Sequence, residues 1–392
     1  MRMPKRGAQG NGTIRQRPDG RWEARYTAGR DPGTGKQIQR SIYGDTQKEV
    51  RQRLNAVVKE LDEGMYTVPS KLTVGQWLDI WLAEYLGGVK PRTVATYTAD
   101  VKNYIRPALG ATKLPALHAH SIQALYNTLL RGSDNRKPLS AKTIKNVHGV
   151  LHKALGQAVT LGYIKFNPAD GCTLPRVEKQ QIKPLDETEI SAFLEAIKNH
   201  KYEIMYQVAL FTGMRQGELL GLTWDCINFE TNTIFINKQL QRILGGDGSY
   251  HLVSPKNDKS RTISPASTVM GLLRKQRARQ AECRLRLGSE WRDNKNLAFT
   301  NELGDNIAPQ TLYSNFKTIA AQIGVPNARF HDLRHTFAVV SLQSGDDIKT
   351  VQENLGHHTA AFTLDIYAHA TEKMKRDSAS RMDSFIKGIS NL

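Results

Sequence analysis

The chain has 392 residues, 39% of them hydrophobic and 23% charged, with a net charge of +18; that composition excludes an unfolded polymer and fits a globular protein of two or three domains. No apolar run approaches the ~20 residues of a membrane helix, and the basic start MRMPKRGAQGNGT leads into no apolar stretch, so it reads as no secretory signal. The positive excess calls for a polyanionic partner, and nucleic acid is favoured over an anionic membrane because no basic amphipathic helix with an aromatic face is present.

The first segment, residues 1–65, opens with turn signals at Pro18-Asp19-Gly20 and Asp31-Pro32-Gly33-Thr34-Gly35. Between them the period is two: Trp22, Ala24 and Tyr26 share one strand face, and Arg21, Glu23 and Arg25 the other. A second strand is expected from Lys36 to Tyr43, and Thr46 with Glu49 reads as a capping box. It opens a helix with Val50, Leu54, Val57 and Leu61 on one face. A small three-stranded sheet plus one helix results. Arg15, Arg17, Arg21, Arg25 and Arg30 crowd this element and are candidates to track a DNA groove, against the plainer reading of a solvated face.

Residues 70–175 read as all helical. Thr73 caps a helix whose Val74, Trp77, Leu78 and Trp81 are core positions. A second helix follows Lys90-Pro91-Arg92-Thr93, with Thr93 as its cap, and ends at Pro107 and Gly110. A third runs from Ser121 to Leu130. The fourth, Ser140 to Leu161, buries Ile144, Val147, Leu151, Leu155 and Ala158 and leaves Lys142, Lys145 and Lys153 outward, where they suit phosphate contact as well as plain solvation. Lys90 and Arg92 join the candidate DNA contacts. Residues 173–184, with two prolines and no periodicity, read as a linker.

The last segment, 183–392, is expected to be mainly helical with a small β insertion: strands at Thr233–Gln239, Tyr250–Val253 and Arg261–Ile263 around Gly245-Gly246-Asp247-Gly248. The fold class expected is multidomain and mainly α. Cys172, Cys226 and Cys283 are too few and too scattered for a disulfide framework or a metal pair, which suggests a reducing cytoplasm.

Four clusters in the last segment carry chemistry. They are Thr212-Gly213-Met214-Arg215-Gln216-Gly217-Glu218, Ser254-Pro255-Lys256, Phe330-His331-Asp332-Leu333-Arg334-His335, and Leu355-Gly356-His357-His358 followed by Tyr367. Alone, Arg215 reads as an ion pair with Glu218. His331 and His335 at i, i+4 invite zinc, but the glutamate of H-E-x-x-H is absent and Arg334 would repel a divalent ion. No metal and no cofactor is expected. Two arginines, a lysine, histidines and a tyrosine suit phosphoryl transfer instead. Arginine forks match the non-bridging oxygens, a phenol is both nucleophile and leaving group, and lysine or histidine supplies a proton.

Taken together, TGMRQGELLGL, SPKNDKSRTI, HDLRHTFA, LGHH and TLDIYAH resemble the motifs of the tyrosine recombinase (phage integrase) family in order and spacing. The resemblance covers nearly the whole chain. It implies Arg215 and Arg334 as clamps on the scissile phosphate, Lys256 as general acid, His331 assisting proton transfer and His357 hydrogen-bonding the phosphate. Tyr367 would be the nucleophile that leaves a 3′-phosphotyrosyl link, with Glu218 in support. His358 departs from the small residue common in the family. The resemblance also implies an arm-type DNA-binding domain at 1–65, a core-binding domain at 70–175 and a catalytic domain at 183–392. Beyond these it implies a homotetramer on double-stranded core and arm sites, an excisionase, a DNA-bending host factor and work in a bacterial cytoplasm. In the family the tail carrying Met374, Met382, Phe385, Ile386 and Ile389 docks on a neighbouring protomer. Two rivals are a type IB topoisomerase-like enzyme and a DNA-binding regulator with a decayed catalytic domain.

Overall fold

The structure is a computed structural model that describes residues 12–30, 34–63, 71–133, 136–178, 183–242, 248–255, 259–292, 295–356 and 371–390. The chain divides into two compact units, Met1–Glu178 and Lys179–Leu392. Outside the described residues lie Asp31, Pro32 and Gly33 of the first turn, most of the Gly245–Gly248 turn, a third of the 173–184 linker, and Lys256, His357, His358 and Tyr367.

The first unit holds two separate apolar cores. Strands β1 (Thr13–Gln16), β2 (Trp22–Arg30) and β3 (Gln37–Gly44) form an antiparallel sheet in that order. Helix α1 (Gln47–Asp62) packs on it through Val50 and Leu54. Thr46 caps α1, accepting from the Glu49 N–H at 3.2 Å, but the Glu49 carboxylate turns to the Asp45 N–H, so the expected capping box is only half made. The alternation along β2 is broken at Glu23, which is buried rather than solvated. Arg15 and Arg25 donate to its carboxylate at 2.7 and 3.0 Å and Ser41 at 2.9 Å. These hydrogen bonds, Arg15 first, bring its pKa down to about 2.

The helical region begins with α2 (Val74–Glu84), where Thr73 and Gln76 form a complete capping box. Helix α3 (Pro91–Asp100) starts three residues earlier than expected: Lys90 rather than Thr93 is its N-cap and Pro91 its first residue, a position that needs no N–H donor. Nor does the helix stop at Pro107. It passes through a π-helical turn (Val101–Ile105) into α4 (Arg106–Leu109). The carbonyl four residues before Pro107, that of Asn103, accepts from Arg136 Nη2 at 2.7 Å, replacing the donor that proline lacks. Helices α5 (Ala119–Arg131) and α6 (Ala141–Thr160) close the bundle. Trp77 donates its indole N–H to the Ala154 carbonyl at 2.9 Å in the core, and Lys142, Lys145 and Lys153 stay on the exposed face of α6.

The second unit is built on α7 (Glu187–Ala196), α8 (Glu203–Thr212), α9 (Gln216–Leu220), α10 (Ser267–Leu287), α11 (Pro309–Gln322) and α12 (Phe330–Gln343), with α13 (Ile348–Leu355) and α14 (Thr371–Ser390) following. The β insertion divides where one strand was expected at 233–239. β5 (Thr233–Ile236) pairs with β4 (Ile227–Asn228) and β8 (Arg261–Ile263), while β6 (Gln239–Arg242) pairs with β7 (Tyr250–Val253) as a separate hairpin. Among the described residues no helix is long and apolar enough to cross a membrane.

Leu151 has no exposed surface in the helical core, while Lys145 is exposed. Leu151→Ala should cost about 2–5 kcal/mol, and Lys145→Ala less than about 0.5 kcal/mol; chemical denaturation of the full chain, reading the helical transition, measures both.

Candidate active site

The arginine-bearing turn exists because α8 ends at Gly213, whose φ of +62° is left-handed. A Cβ there would lie 2.6 Å from atoms of both Leu355 and Phe337, so glycine also lets this turn approach α12 and α13. Arg215 then precedes the short helix α9 and Glu218 lies in its first turn. The ion pair expected between them is present: Arg215 Nη1 donates to Glu218 Oε1 at 2.7 Å, and the Arg215 N–H to Oε2 at 3.0 Å.

A third partner was not anticipated. Arg261, the first residue of β8, donates Nη2 to Glu218 Oε2 at 2.7 Å and Nη1 to Oε1 at 3.1 Å. Four donors therefore fill a carboxylate whose side chain has no exposed surface. Burial alone would raise the Glu218 pKa; the hydrogen bonds and charge of Arg261, then the charge of Arg215, overcome it and hold the group at about 2.

Arg334 lies one turn into α12 and is buried. It donates Nη1 to the Gly213 carbonyl at 2.8 Å and Nη2 to the Leu355 carbonyl. It thus joins the C-terminal ends of α8 and α13. Arg261 Nε donates to the next carbonyl back, that of Asn354, at 2.7 Å, and Arg215 Nη2 to the next one on, that of Gly356, at 3.2 Å. Three guanidinium groups thereby take three consecutive carbonyls that a helix end leaves without intrahelical partners, at the negative pole of its dipole. Burial, then the Arg215 charge, press against the charge of Arg334, with Glu218 supporting it. Three cations share one carboxylate, and the excess is open to an anion.

The start of α12 is locked by Asp332, which accepts from the Arg329 N–H at 2.8 Å and from Arg329 Nη2 at 2.9 Å. His331 and His335 meet edge-on, ring centroids 4.9 Å apart. His331 is an exposed residue, yet the protein around its ring, then the charges of His335, Arg334 and Arg215, bring it down to about 4. It is neutral at pH 7, with one nitrogen able to donate and the other to accept. Burial also brings His335 down to about 4. Arg215, Glu218, His331 and Arg334 are therefore brought together. Lys256, His357 and Tyr367 lie outside the described residues, His357 following directly on Gly356 in the chain.

The predicted DNA contacts fall on the N-terminal sheet and on helices α3 and α6 of the first unit. Arg15 and Arg25 hold Glu23, while Arg17 and Arg21 pair with Asp19, at 3.8 and 3.0 Å. Lys90 and Arg92 stand at the start of α3, which packs on α6, and Lys142 and Lys145 near the start of α6; all four are exposed.

The buried His335 fixes a pH dependence. Its folded-state value lies below that of an unfolded histidine, so the unfolded chain binds the extra proton between pH ~6.5 and ~4. Its stability contribution is complete above pH ~6.5 and is lost as pH falls towards 4, with a slope of up to about 1.4 kcal/mol per pH unit. Urea titrations between pH 7 and 4.5 should show the fall, to which His331 adds its own share, and His335→Asn should make it shallower; equal slopes in both proteins would contradict the assignment.

Residues 183–374 match the description "Phage integrase family", and residues 73–130 match "Phage integrase, N-terminal SAM-like domain". Among solved structures, the chain is similar to a Tn1549 transposon integrase in complex with transposon right end DNA. There the TM-score is 0.65 and the identity 23%, over 80% of this chain and all of that one. It is also similar to a lambda integrase tetramer bound to a Holliday junction, with TM-score 0.55 and 19% identity over 91% of this chain and 96% of that one. Of the curated relatives, the tyrosine recombinase XerC-like protein of Caldanaerobacter subterraneus subsp. tengcongensis is 32% identical over 378 residues, which are 92% of this chain and 95% of the relative. With that identity over nearly its whole length, the chain belongs to the phage integrase family of tyrosine recombinases, enzymes that cleave and rejoin DNA.

Proposed function

We propose that this integrase cuts each strand of a double-stranded attachment site by attack of the Tyr367 hydroxyl on the scissile phosphate. The observation that carries the proposal is the cluster of Arg215, Arg334 and Arg261 on the last carbonyls of α13, immediately before His357, with the Glu218 carboxylate holding Arg215 and Arg261. Such a site is short of negative charge, and a phosphodiester supplies it. Arg215 and Arg334 hold the non-bridging oxygens, whose charge grows in the transition state. His331, neutral, accepts or relays the tyrosyl proton. His357 donates to the phosphate, and Lys256 gives a proton to the departing 5′ oxygen.

The new bond joins phosphorus to the tyrosyl oxygen, and the bond broken is that to the 5′ oxygen, which leaves as a hydroxyl. A 5′-hydroxyl from a second duplex then reverses the step, releasing Tyr367. The ester energy is retained, so neither ATP nor a metal is required for balance. The helical region of 70–175 grips the core site through Lys90, Arg92, Lys142 and Lys145. The sheet of 1–65 reads arm sites, aided by Arg15, Arg17, Arg21 and Arg25. The active form is a tetramer: Met382, Phe385, Ile386 and Ile389 of α14 are exposed apolar side chains suited to a neighbouring protomer, and a structural relative is a tetramer on a Holliday junction. An excisionase and a DNA-bending factor complete the reaction, which integrates or excises a mobile element in a bacterial cytoplasm.

A nicked suicide duplex built from the joined ends of the element that encodes the chain should trap a covalent protein–DNA adduct. Tyr367→Phe should trap none, and Arg215→Ala should form it about 100-fold more slowly. An adduct that persists in Tyr367→Phe would remove Tyr367 from its role. For Lys145→Ala, affinity for the same duplex measured from 50 to 200 mM salt should show a log–log slope lower by about 0.9, the share of one phosphate contact; an unchanged slope would make Lys145 ordinary surface.

A further inference from the structure

We infer that Arg261 is a positioning residue for strand cleavage, anchored on the end of α13 and acting through Glu218 on Arg215. The inference rests on the functional reading above. Its basis is geometric. The Arg261 side chain is 9% exposed, against 25% for Arg215, and its Nε, Nη1 and Nη2 all donate to protein acceptors, whereas Arg334 Nε has no partner. Its fork takes both oxygens of Glu218 while its Nε takes the Asn354 carbonyl. The carboxylate that directs Arg215 is thus itself held through both oxygens by Arg261.

Arg261 also sits where three elements meet. Its backbone pairs with Ile236 in the β4-β5-β8 sheet, its side chain reaches α9 and α13, and Lys256 is five residues before it in the chain. The approach to α13 is close. A Cβ on Gly356, whose φ is +61°, would fall 3.0 Å from Arg261 Cδ and 3.1 Å from its Nη1. Lysine in this place keeps the charge but cannot make a two-pronged bond to Glu218 and a third bond to Asn354 together.

A role confined to folding would make the effects of changing Arg261 and Arg215 multiply, whereas a role exerted through Arg215 makes them overlap. The experiment is single-turnover cleavage of the nicked suicide duplex at saturating protein. It compares the wild type, Arg261→Gln, Arg261→Lys, Arg215→Lys and the Arg215→Lys/Arg261→Gln double variant, with duplex affinity measured in parallel. Arg261→Gln should cleave about 100-fold more slowly while binding the duplex within about threefold of wild type. In the Arg215→Lys background the same change should cost less than about threefold more. Arg261→Lys should recover about tenfold of the loss, and it carries the comparison should Arg261→Gln not fold. Cleavage by Arg261→Gln at the wild-type rate, full multiplication in the double variant, or a loss matched by weaker duplex binding would each overturn the inference. Absence of adduct from the wild type itself would instead overturn the functional reading.

Discussion

The second unit turns on a single electrostatic arrangement: the carboxylate of Glu218 and the last carbonyls of α13 share three guanidinium groups. A buried carboxylate without partners would protonate, and a set of buried arginines without one would repel each other. Together they fill the carboxylate and the helix-end carbonyls, leave Arg334 Nε without a hydrogen-bond partner, and still carry net positive charge. Arg334 is the most confined, spanning two helix ends, and Arg215 the most accessible.

This arrangement explains why small elements matter. Gly213 allows the turn that presents Arg215 to lie against Leu355 and Phe337. Asp332 holds the first turn of α12 so that His331 and Arg334, three residues apart, face the same place. β8 is only three residues long, yet it delivers Arg261. The large apolar core beneath, with Tyr206, Phe193, Phe316 and Phe330 in tilted and edge-on contacts, supplies the rigid base.

Much of this was legible in the residues because it is local or strongly patterned. The Thr73 cap stands directly before its helix, and the stripe of α6 repeats over twenty residues. The Arg215–Glu218 pair is three residues apart. What escaped depends on partners far along the chain. Arg261 meets Glu218 across 43 residues, so nothing in its neighbourhood distinguishes it from a surface arginine on a strand. Glu23 reads as a solvent-facing residue by alternation, and its burial comes from Arg15 and Ser41 on the adjoining strands. Pro107 reads as a helix end, a fair rule for an isolated helix, but Arg136 supplies from 33 residues away the hydrogen bond that proline removes. The helical start at Pro91 was a local matter in which the fixed φ of proline outweighed the capping preference of Thr93.

Arg334 holds the ends of α8 and α13 at once, which makes the catalytic constellation and the docking of a single two-turn helix the same event. Sub-global opening of α13 strips Arg215, Arg261 and Arg334 of a carbonyl each in one step. The cationic residues of the first unit depend on other cores and stay in order. A molecule in that opened state keeps the cores of the first unit and loses the arginine cluster of the second, so the two are separately stabilised parts of one chain.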